Sequence, residues 1–233
     1  MPEDPSAPAR LPTGPVGSLA DQALRILTEK LILLDIPPGQ ALSEQELSAQ
    51  LGIGRTPLRE AIKRLEAAHL VVTYPRRGTF ASSVDLTALV EVAEVRGMLE
   101  PLAARLAAER RAPSDVEALQ ALRAELLALD PDTSPRDLMW ADMRIHRAIY
   151  EAAGNSHLVL TLEQYGNLAI RAWSVTATRL HGVSEHITEC APLLQAVIDG
   201  DAACAEQLMA RHIDDFDQRI RQVMAGSRPS DRH

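Results

Sequence analysis

Leu19, Ala23, Ile26, Leu27, Leu31 and Leu34, with Lys30 among them, recur at intervals of three and four, which predicts an amphipathic helix of about five turns. Pro37-Pro38-Gly39 ends it. At Ser43-Glu44-Gln45-Glu46 the sequence reads as a capping box, in which the Ser43 hydroxyl accepts the Glu46 amide and the Glu46 carboxylate returns to the Ser43 amide. A short second helix therefore starts there and stops at Gly52. After Gly52-Ile53-Gly54, Thr56 reads as an N-cap and Pro57 as the first helical residue of a third helix, with Leu58, Ile62 and Leu65 as its apolar stripe and an end near His69. Leu70-Val71-Val72-Thr73-Tyr74 is β-branched and aromatic, Pro75-Arg76-Arg77-Gly78 is turn chemistry, and Thr79-Phe80-Ala81 returns as a partner, so a two-stranded hairpin follows.

Beyond Asp85 the pattern is helical throughout. It is interrupted at Ala112-Pro113-Ser114, Asp130-Pro131, Gly154-Asn155, around Gly182 and at Asp199-Gly200-Asp201. These short connections predict an antiparallel all-α bundle of about six helices. Pro101 falls inside the first of them and should kink it. Residues 1–17 hold five of the fifteen prolines and almost no apolar period, which marks a mobile tail. The expected organisation is a mainly α chain: a tail over 1–17, a winged helix-turn-helix over 18–83, a helical bundle over 84–225 and a second tail over 226–233.

Charge sharpens this division. The chain carries a formal −8, but residues 1–80 hold nine basic and nine acidic side chains, so all the excess acid lies downstream. Within residues 52–80, Arg55, Arg59, Lys63, Arg64, Arg76 and Arg77 face only Glu60 and Glu66. A basic patch thus precedes an acidic domain, the footprint of a nucleic-acid reader with a separate function attached. Aromatic residues make up 3% of the chain, too few for a sheet that stacks exposed bases, so helix contacts must supply the binding. No apolar run is longer than the four of Leu31-Ile32-Leu33-Leu34, which excludes a membrane-spanning helix. Two cysteines, and a start at Met1-Pro2-Glu3-Asp4 without a signal-peptide pattern, point to a reducing cytoplasm.

In a winged helix-turn-helix the third helix enters the major groove by its N-terminal end, where Arg55, Thr56 and Arg59 lie. Arg55 or Arg59 is placed to read guanine, and Lys63 and Arg64, further along, suit phosphate. Arg76 and Arg77 at the wing tip reach the backbone or the minor groove, and Gly78 permits the tight tip.

The bundle carries a second constellation. Asp142 and His146 are four apart on a helix whose apolar positions Leu138, Ile145 and Ile149 turn them inward, and His212 is flanked at the same spacing by Leu208 and Phe216. A buried carboxylate needs a partner or a metal, and an Asp with inward histidines from two helices points to a metal. Arg96 lies among Leu89, Val92 and Leu99, an apolar setting in which a guanidinium wants either a bundle carboxylate or an anionic effector, and Arg171 is a weaker candidate for the same task.

The run Pro38-Gly39, Leu42-Ser43-Glu44-Gln45-Glu46-Leu47, Leu51-Gly52-Ile53-Gly54-Arg55-Thr56-Pro57-Leu58-Arg59-Glu60-Ala61, Leu65-Glu66 and Arg77-Gly78 resembles the N-terminal domain of the GntR family of bacterial transcription regulators. The likeness continues through Arg96 and Glu100 into a helical effector domain similar to that of the FadR-type subfamily, the FCD domain. It implies that Gln45, Arg55, Thr56, Arg59 and Gly78 contact operator DNA. The chain departs from the family at Gly54, where Ser or Thr is usual and bonds a phosphate. The resemblance also implies a metal held by an Asp-x-x-x-His pair and two further histidines, which Asp142, His146 and His212 match in three positions. The fourth falls eleven residues before Asp201, on Cys190, with His186 one turn earlier as the alternative; the spacing favours Cys190. A thiolate ligand favours zinc over manganese or nickel.

These readings lead to a cytoplasmic, homodimeric, ligand-responsive transcription regulator, a repressor by expectation, on a short palindromic double-stranded operator, with a small-molecule effector that the resemblance implies is a carboxylic acid. The rival is a metalloenzyme built on the Asp/His/Cys cluster. It has no His-Glu-x-x-His motif behind it and no separate general acid or base, so the chain is not expected to be an enzyme.

Overall fold

The computed structural model describes residues 17–85, 88–130, 132–176 and 183–226. Most of both expected tails, together with Gly182, His181 and His233, lies outside the described residues.

Helix α1 (Leu19–Ile32) opens on Ser18, whose hydroxyl accepts the Asp21 amide while the Asp21 carboxylate accepts the Ser18 amide. Its buried side is Ala20, Ala23, Leu27, Leu31 and Ile32, so Leu19 and Ile26 belong to its outer flank. Helix α2 (Glu44–Leu51) has Ser43 as N-cap and ends at Gly52 in the left-handed conformation, φ 64°. Of the expected reciprocal box, the Ser43 hydroxyl half is present, at 3.3 Å from the Glu46 amide.

Helix α3 (Arg55–Ala67) begins one residue before Thr56, with Gly54 as N-cap and no side chain capping it. Pro57 fits there because every amide of a first turn lacks an intrahelical acceptor, so a proline costs nothing at any of those positions. Leu58, Ile62 and Leu65 are buried, as the stripe predicted, and Ala61 is buried with them. The wing has three strands rather than two: β1 (Ala41–Leu42), β2 (Val71–Tyr74) and β3 (Gly78–Ala81), in the antiparallel order β1-β3-β2. Ala41 pairs with Phe80 and Leu42 with Thr79. A strand of two residues has no period to read.

The second domain comprises α4 (Ala88–Arg110), α5 (Pro113–Leu127), α6 (Pro135–Ala152), α7 (Ser156–Thr176), α8 (Val183–Thr188), α9 (Cys190–Asp199) and α10 (Ala202–Gly226). Helix α4 passes through Pro101 without interruption and packs on α10, α6 and α7. Where one helix was expected before Asp199 there are two, divided at Glu189. Leu119, Ile149, Leu162, Trp173, Leu194 and Met209 anchor the core of this domain. No helix among the described residues is long and apolar enough to cross a membrane.

The two cores meet. Met143 of α6 and Ile170 of α7 are buried within the N-terminal cluster of Leu27, Leu31, Leu58 and Leu65 rather than in their own domain's. Two arginines reinforce the junction. Arg136 grips both oxygens of Asp35, at 2.7 and 2.9 Å, and the Leu33 carbonyl. Arg171, fully buried, donates to the Leu70 carbonyl and to both oxygens of Ser82.

Candidate functional site

The first turn of α3 and the wing tip form one exposed surface chemistry. Gln45, Arg55, Thr56, Arg59, Lys63, Arg76, Arg77 and Gly78 are all exposed. Arg59 donates from Nε to the Glu44 carboxylate, 2.7 Å away, which holds its side chain toward the start of α2. Arg64 is different: its guanidinium pairs with Asp21 of α1 at 2.6 Å, so it fastens α3 to α1 instead of standing free for phosphate. The hydrogen bonds from Arg64 and Ser18 hold the Asp21 carboxyl down to about 2. Arg76 and Gly78 both have positive φ, 63° and 96°, and the Arg77 amide closes the tip on the Tyr74 carbonyl at 3.0 Å. Glycine adopts that backbone without strain at position 78.

In the helical domain, α6 brings Asp142 and His146 inward and α10 brings His212, each about 4% exposed. His146 Nε2 and His212 Nε2 are 3.1 Å apart, and each lies 3.6 Å from Asp142 Oδ1. Cys190, at the start of α9 and fully buried, places Sγ 3.9 Å from Asp142 Oδ1 and 3.8 Å from His212 Nε2. Burial, then the Asp142 charge, pushes its thiol well up. Both histidines and the thiol thus lie within 3.9 Å of one Asp142 oxygen.

His186 joins them. Helix α8 begins at Val183, so His186 stands in its first turn, yet it is completely buried, with Trp173 edge-on at 5.1 Å. Its ring stacks on His212 at 4.1 Å and 11°, and the nitrogens of Asp142's neighbours His186 and His212 fall with the Asp142 oxygen within 4.8 Å of one another. Burial, with His212 beside it, pushes the His186 imidazole down to about 3, and neither of its ring nitrogens has a partner among the described residues. Two parallel rings cannot both aim a lone pair at one ion without one of them turning.

Behind His146 stands a group that sequence spacing did not single out as a ligand-orienting residue. Glu100 is fully buried on α4, with Oε2 2.7 Å from His146 Nδ1 and Oε1 2.5 Å from Arg96 Nε. The signal was available: Glu100 is four residues after the inward Arg96, on the same helix face. Arg96 therefore has its charge answered inside the bundle, and its guanidinium also lies over the Phe216 ring at 5.2 Å. Arg96, Glu100, His146 and Asp142 make a buried row of alternating charge. Burial would raise the Glu100 carboxyl, but Arg96 and His146 hold it down to about 2. Burial works against a charged His146, yet Glu100 and Asp142 raise it to about 10. Glu100 Oε2 is thus an ion-pair partner of His146 Nδ1, with the Tyr150 hydroxyl 3.3 Å from the same nitrogen, and Nε2 is left toward Asp142 and His212; a carboxylate behind the ring is the arrangement by which proteins orient a metal-binding histidine.

A cavity of about 20 Å³ opens between α6 and α7, lined by Arg96, Asp142, His146, Tyr150, Arg147 and Asn167 among others. Arg171 does not reach it. The guanidinium expected to meet an effector is spent on the domain junction, because Ser82 and Leu70 lie directly over that turn of α7. His69 and His157 are exposed, as expected for residues outside the site.

Comparison with known proteins places these parts. Residues 19–81 match the model described as bacterial regulatory proteins, gntR family, and residues 91–215 match the FCD domain. The Nta operon transcriptional regulator of Aminobacter aminovorans is 28% identical over 187 residues, 79% of this chain and 88% of that protein. The putative L-lactate dehydrogenase operon regulatory protein of Escherichia coli K12 is 28% identical over 221 residues, covering 84% and 82% of the two chains. The probable D-xylose utilization operon transcriptional repressor of Paenarthrobacter nicotinovorans is 26% identical over 198 residues, covering 84% and 86%. Among solved structures, Escherichia coli McbR/YncC superposes with a TM-score of 0.77 at 24% identity, over 89% of this chain and 99% of that one, which establishes the common fold. With a reading head and a helical domain both matched along their length, this chain belongs to the GntR family of bacterial transcription regulators, in the group that carries an FCD domain.

Proposed function

We propose that this protein is a cytoplasmic repressor that binds a short inverted-repeat operator as a homodimer joined through its helical domains, and that releases or tightens its hold when a small carboxylic acid enters the cavity beside a bound divalent metal. One observation carries the reading. The arginines of the α3 first turn and of the wing tip are exposed, while the helical domain attached to them buries a cluster of ligand-type side chains that performs no packing task apolar residues would not do better. The relative named a repressor supports the sign of regulation.

The residues present fit a metal. Asp142, His146, Cys190 and His212 are the proposed ligands, and zinc the proposed ion. Zinc with one carboxylate and one thiolate is electrically neutral, which a site this deeply buried favours. The unpartnered, buried nitrogens of His186 support a ligand at this cluster, and that ring is the second choice for the fourth position. When bound, the ion supplies a positive anchor for an anionic effector.

Fluorescence anisotropy with duplexes selected from the organism's own DNA tests the reading, with and without zinc. Specific binding whose logarithm falls linearly with the logarithm of salt concentration supports it. Turnover of a substrate in the absence of any preferred duplex would transfer the protein to the enzymes.

A further inference from the structure

Between α5 and α6 lies a second cavity, of about 170 Å³ against about 20 Å³ beside the ligand cluster. The two share no lining residue. On α6, Asp137, Ala141 and Arg144 face the new cleft while Asp142, His146 and Tyr150 face the cluster, opposite sides of one helix by its 3.6-residue period. Leu122 and the buried Leu126 and Ile145 give the cleft an apolar lining, and the half-buried Trp140 adds an aromatic wall. A cavity of about 150 Å³ lined by such side chains is known to hold benzene, so a single ring fits here.

Three charged side chains also line the cleft: Glu125, Asp137 and Arg144. Two of them answer each other. Arg144 Nη1 lies 2.6 Å from the Glu125 carboxylate, an ion pair that joins α6 to α5 across the opening. Asp137 is left over. Its Oδ2 accepts the Ser134 hydroxyl at 2.7 Å, and no cation lies at ion-pairing distance from it among the described residues. Trp140 stands three residues further along the same helix, near enough for both to touch one guest. An indole face and an unanswered carboxylate both attract positive charge, and the apolar lining favours hydrocarbon over water. An anion would meet Asp137 with only the already paired Arg144 to offset it. The surrounding acidic excess of the helical domain draws cations toward it as well.

We propose that the cleft between α5 and α6 is a second ligand site, which takes a small organic ammonium ion with a single ring as its apolar body. The site is independent of the proposed metal and of the carboxylic acid beside it. Trp140 ties it to the rest of the molecule, because that side chain also packs against the core of the DNA-reading domain, and Arg136, one turn earlier, grips Asp35 of the same domain. A guest held against Trp140 therefore bears on the junction between the domains.

The test titrates the full-length protein calorimetrically, in the presence of a metal chelator, with phenethylamine and with phenethyl alcohol and hydrocinnamate as its neutral and anionic counterparts. The amine is expected to bind at about millimolar or tighter, ahead of the alcohol, with hydrocinnamate last. Its affinity should be the same in zinc-loaded protein. D137N keeps the acceptor for Ser134 but removes the charge, and should weaken the amine about three- to tenfold while leaving the alcohol unchanged. Damaged packing would not split the two probes in this way. A141L fills the cleft and should abolish amine binding; circular dichroism establishes that each variant is folded, and A141L decides the matter if D137N is not. Absence of amine binding by the wild type overturns the proposal, as does a preference for the alcohol or hydrocinnamate, or amine binding that requires zinc. Equal amine affinity in folded D137N or folded A141L overturns it too.

Discussion

The Arg171 guanidinium holds Ser82 by both its oxygens, the hydroxyl and the carbonyl, each at 2.6 Å, across the boundary between the helical and DNA-reading domains. Among the described residues this buried cation meets no carboxylate; three neutral oxygens carry its charge. Such an arrangement persists only while both domains stay in place, since parting them leaves Arg171 facing water and Ser82 without its donor.

Arg171→Ala should therefore cost about 2 kcal/mol or more of docking stability, the worth of a hydrogen-bonded charge. The expected outcome is earlier hydrogen exchange at the wing and a separate low-temperature transition for the reading domain in calorimetry. Arg136→Ala, at a half-exposed grip, should cost less. A single unshifted transition in Arg171→Ala would remove the clasp from the account.

Arg55→Ala and Arg59→Ala are each expected to lower operator affinity by about 1–3 kcal/mol with helix content intact. Lys63→Ala should weaken every duplex alike and reduce the salt slope by about one. Anisotropy titrations at fixed salt on specific and scrambled duplexes separate these outcomes; equal affinity of the Arg59 variant and the parent for the operator places the reading helix elsewhere.

At the metal cluster, Cys190→Ala should lower zinc affinity strongly, and His186→Ala should leave it nearly unchanged. Competition with a chromophoric chelator reads both. The reverse pattern assigns the fourth position to His186, and no zinc uptake by the parent protein dismisses the centre.

Glu100→Gln keeps the shape of the side chain but removes the charge that orients His146. We expect zinc affinity to fall about 10–100-fold, with a stability loss of about 3–5 kcal/mol from the unanswered Arg96. A variant with the parent's zinc affinity would show that Glu100 serves Arg96 alone.

The chelated and loaded proteins should respond oppositely to alkali. His146 is raised from the ordinary 6.5 to about 10 by Glu100 and Asp142 against burial, so its charge stabilises the metal-free fold fully below pH 6.5. That contribution is lost as pH rises through 10. Metal binding displaces the proton, so the loaded protein loses nothing by this route, and zinc affinity rises about tenfold per pH unit for each proton displaced. Melting temperatures of chelated and loaded protein between pH 6.5 and 10 check the sign.

Much of this was legible in the sequence because local chemistry repeated the global plan. Leu58, Ile62 and Leu65 set the buried side of α3, Gly52 its turn, and the Pro and Gly interruptions the ends of the long helices. The inward turn of Asp142, His146 and His212 followed from four-residue spacing. What escaped depended on contacts distant in sequence. Ala41–Leu42 is a strand only because β3 lies beside it. Arg64 and Arg171 look like free cations until Asp21 and Ser82 arrive from 43 and 89 residues away. Glu100 was visible as a neighbour of Arg96, but its reach to His146 required the packing of α4 on α6.

Arg136 and Arg171 sit on different helices and grip the reading domain at different places, Asp35 after α1 and Ser82 after the wing. A body pinned at one point can still swivel; pinned at two, it keeps a single axis, and the shared Met143 and Ile170 packing blocks that one as well. The orientation of α3 is thereby inherited from the helical domain rather than chosen on DNA. In the proposed homodimer this would convert the geometry of the bundle into a ruler, and the distance between the proposed operator half-sites is what the ruler would measure.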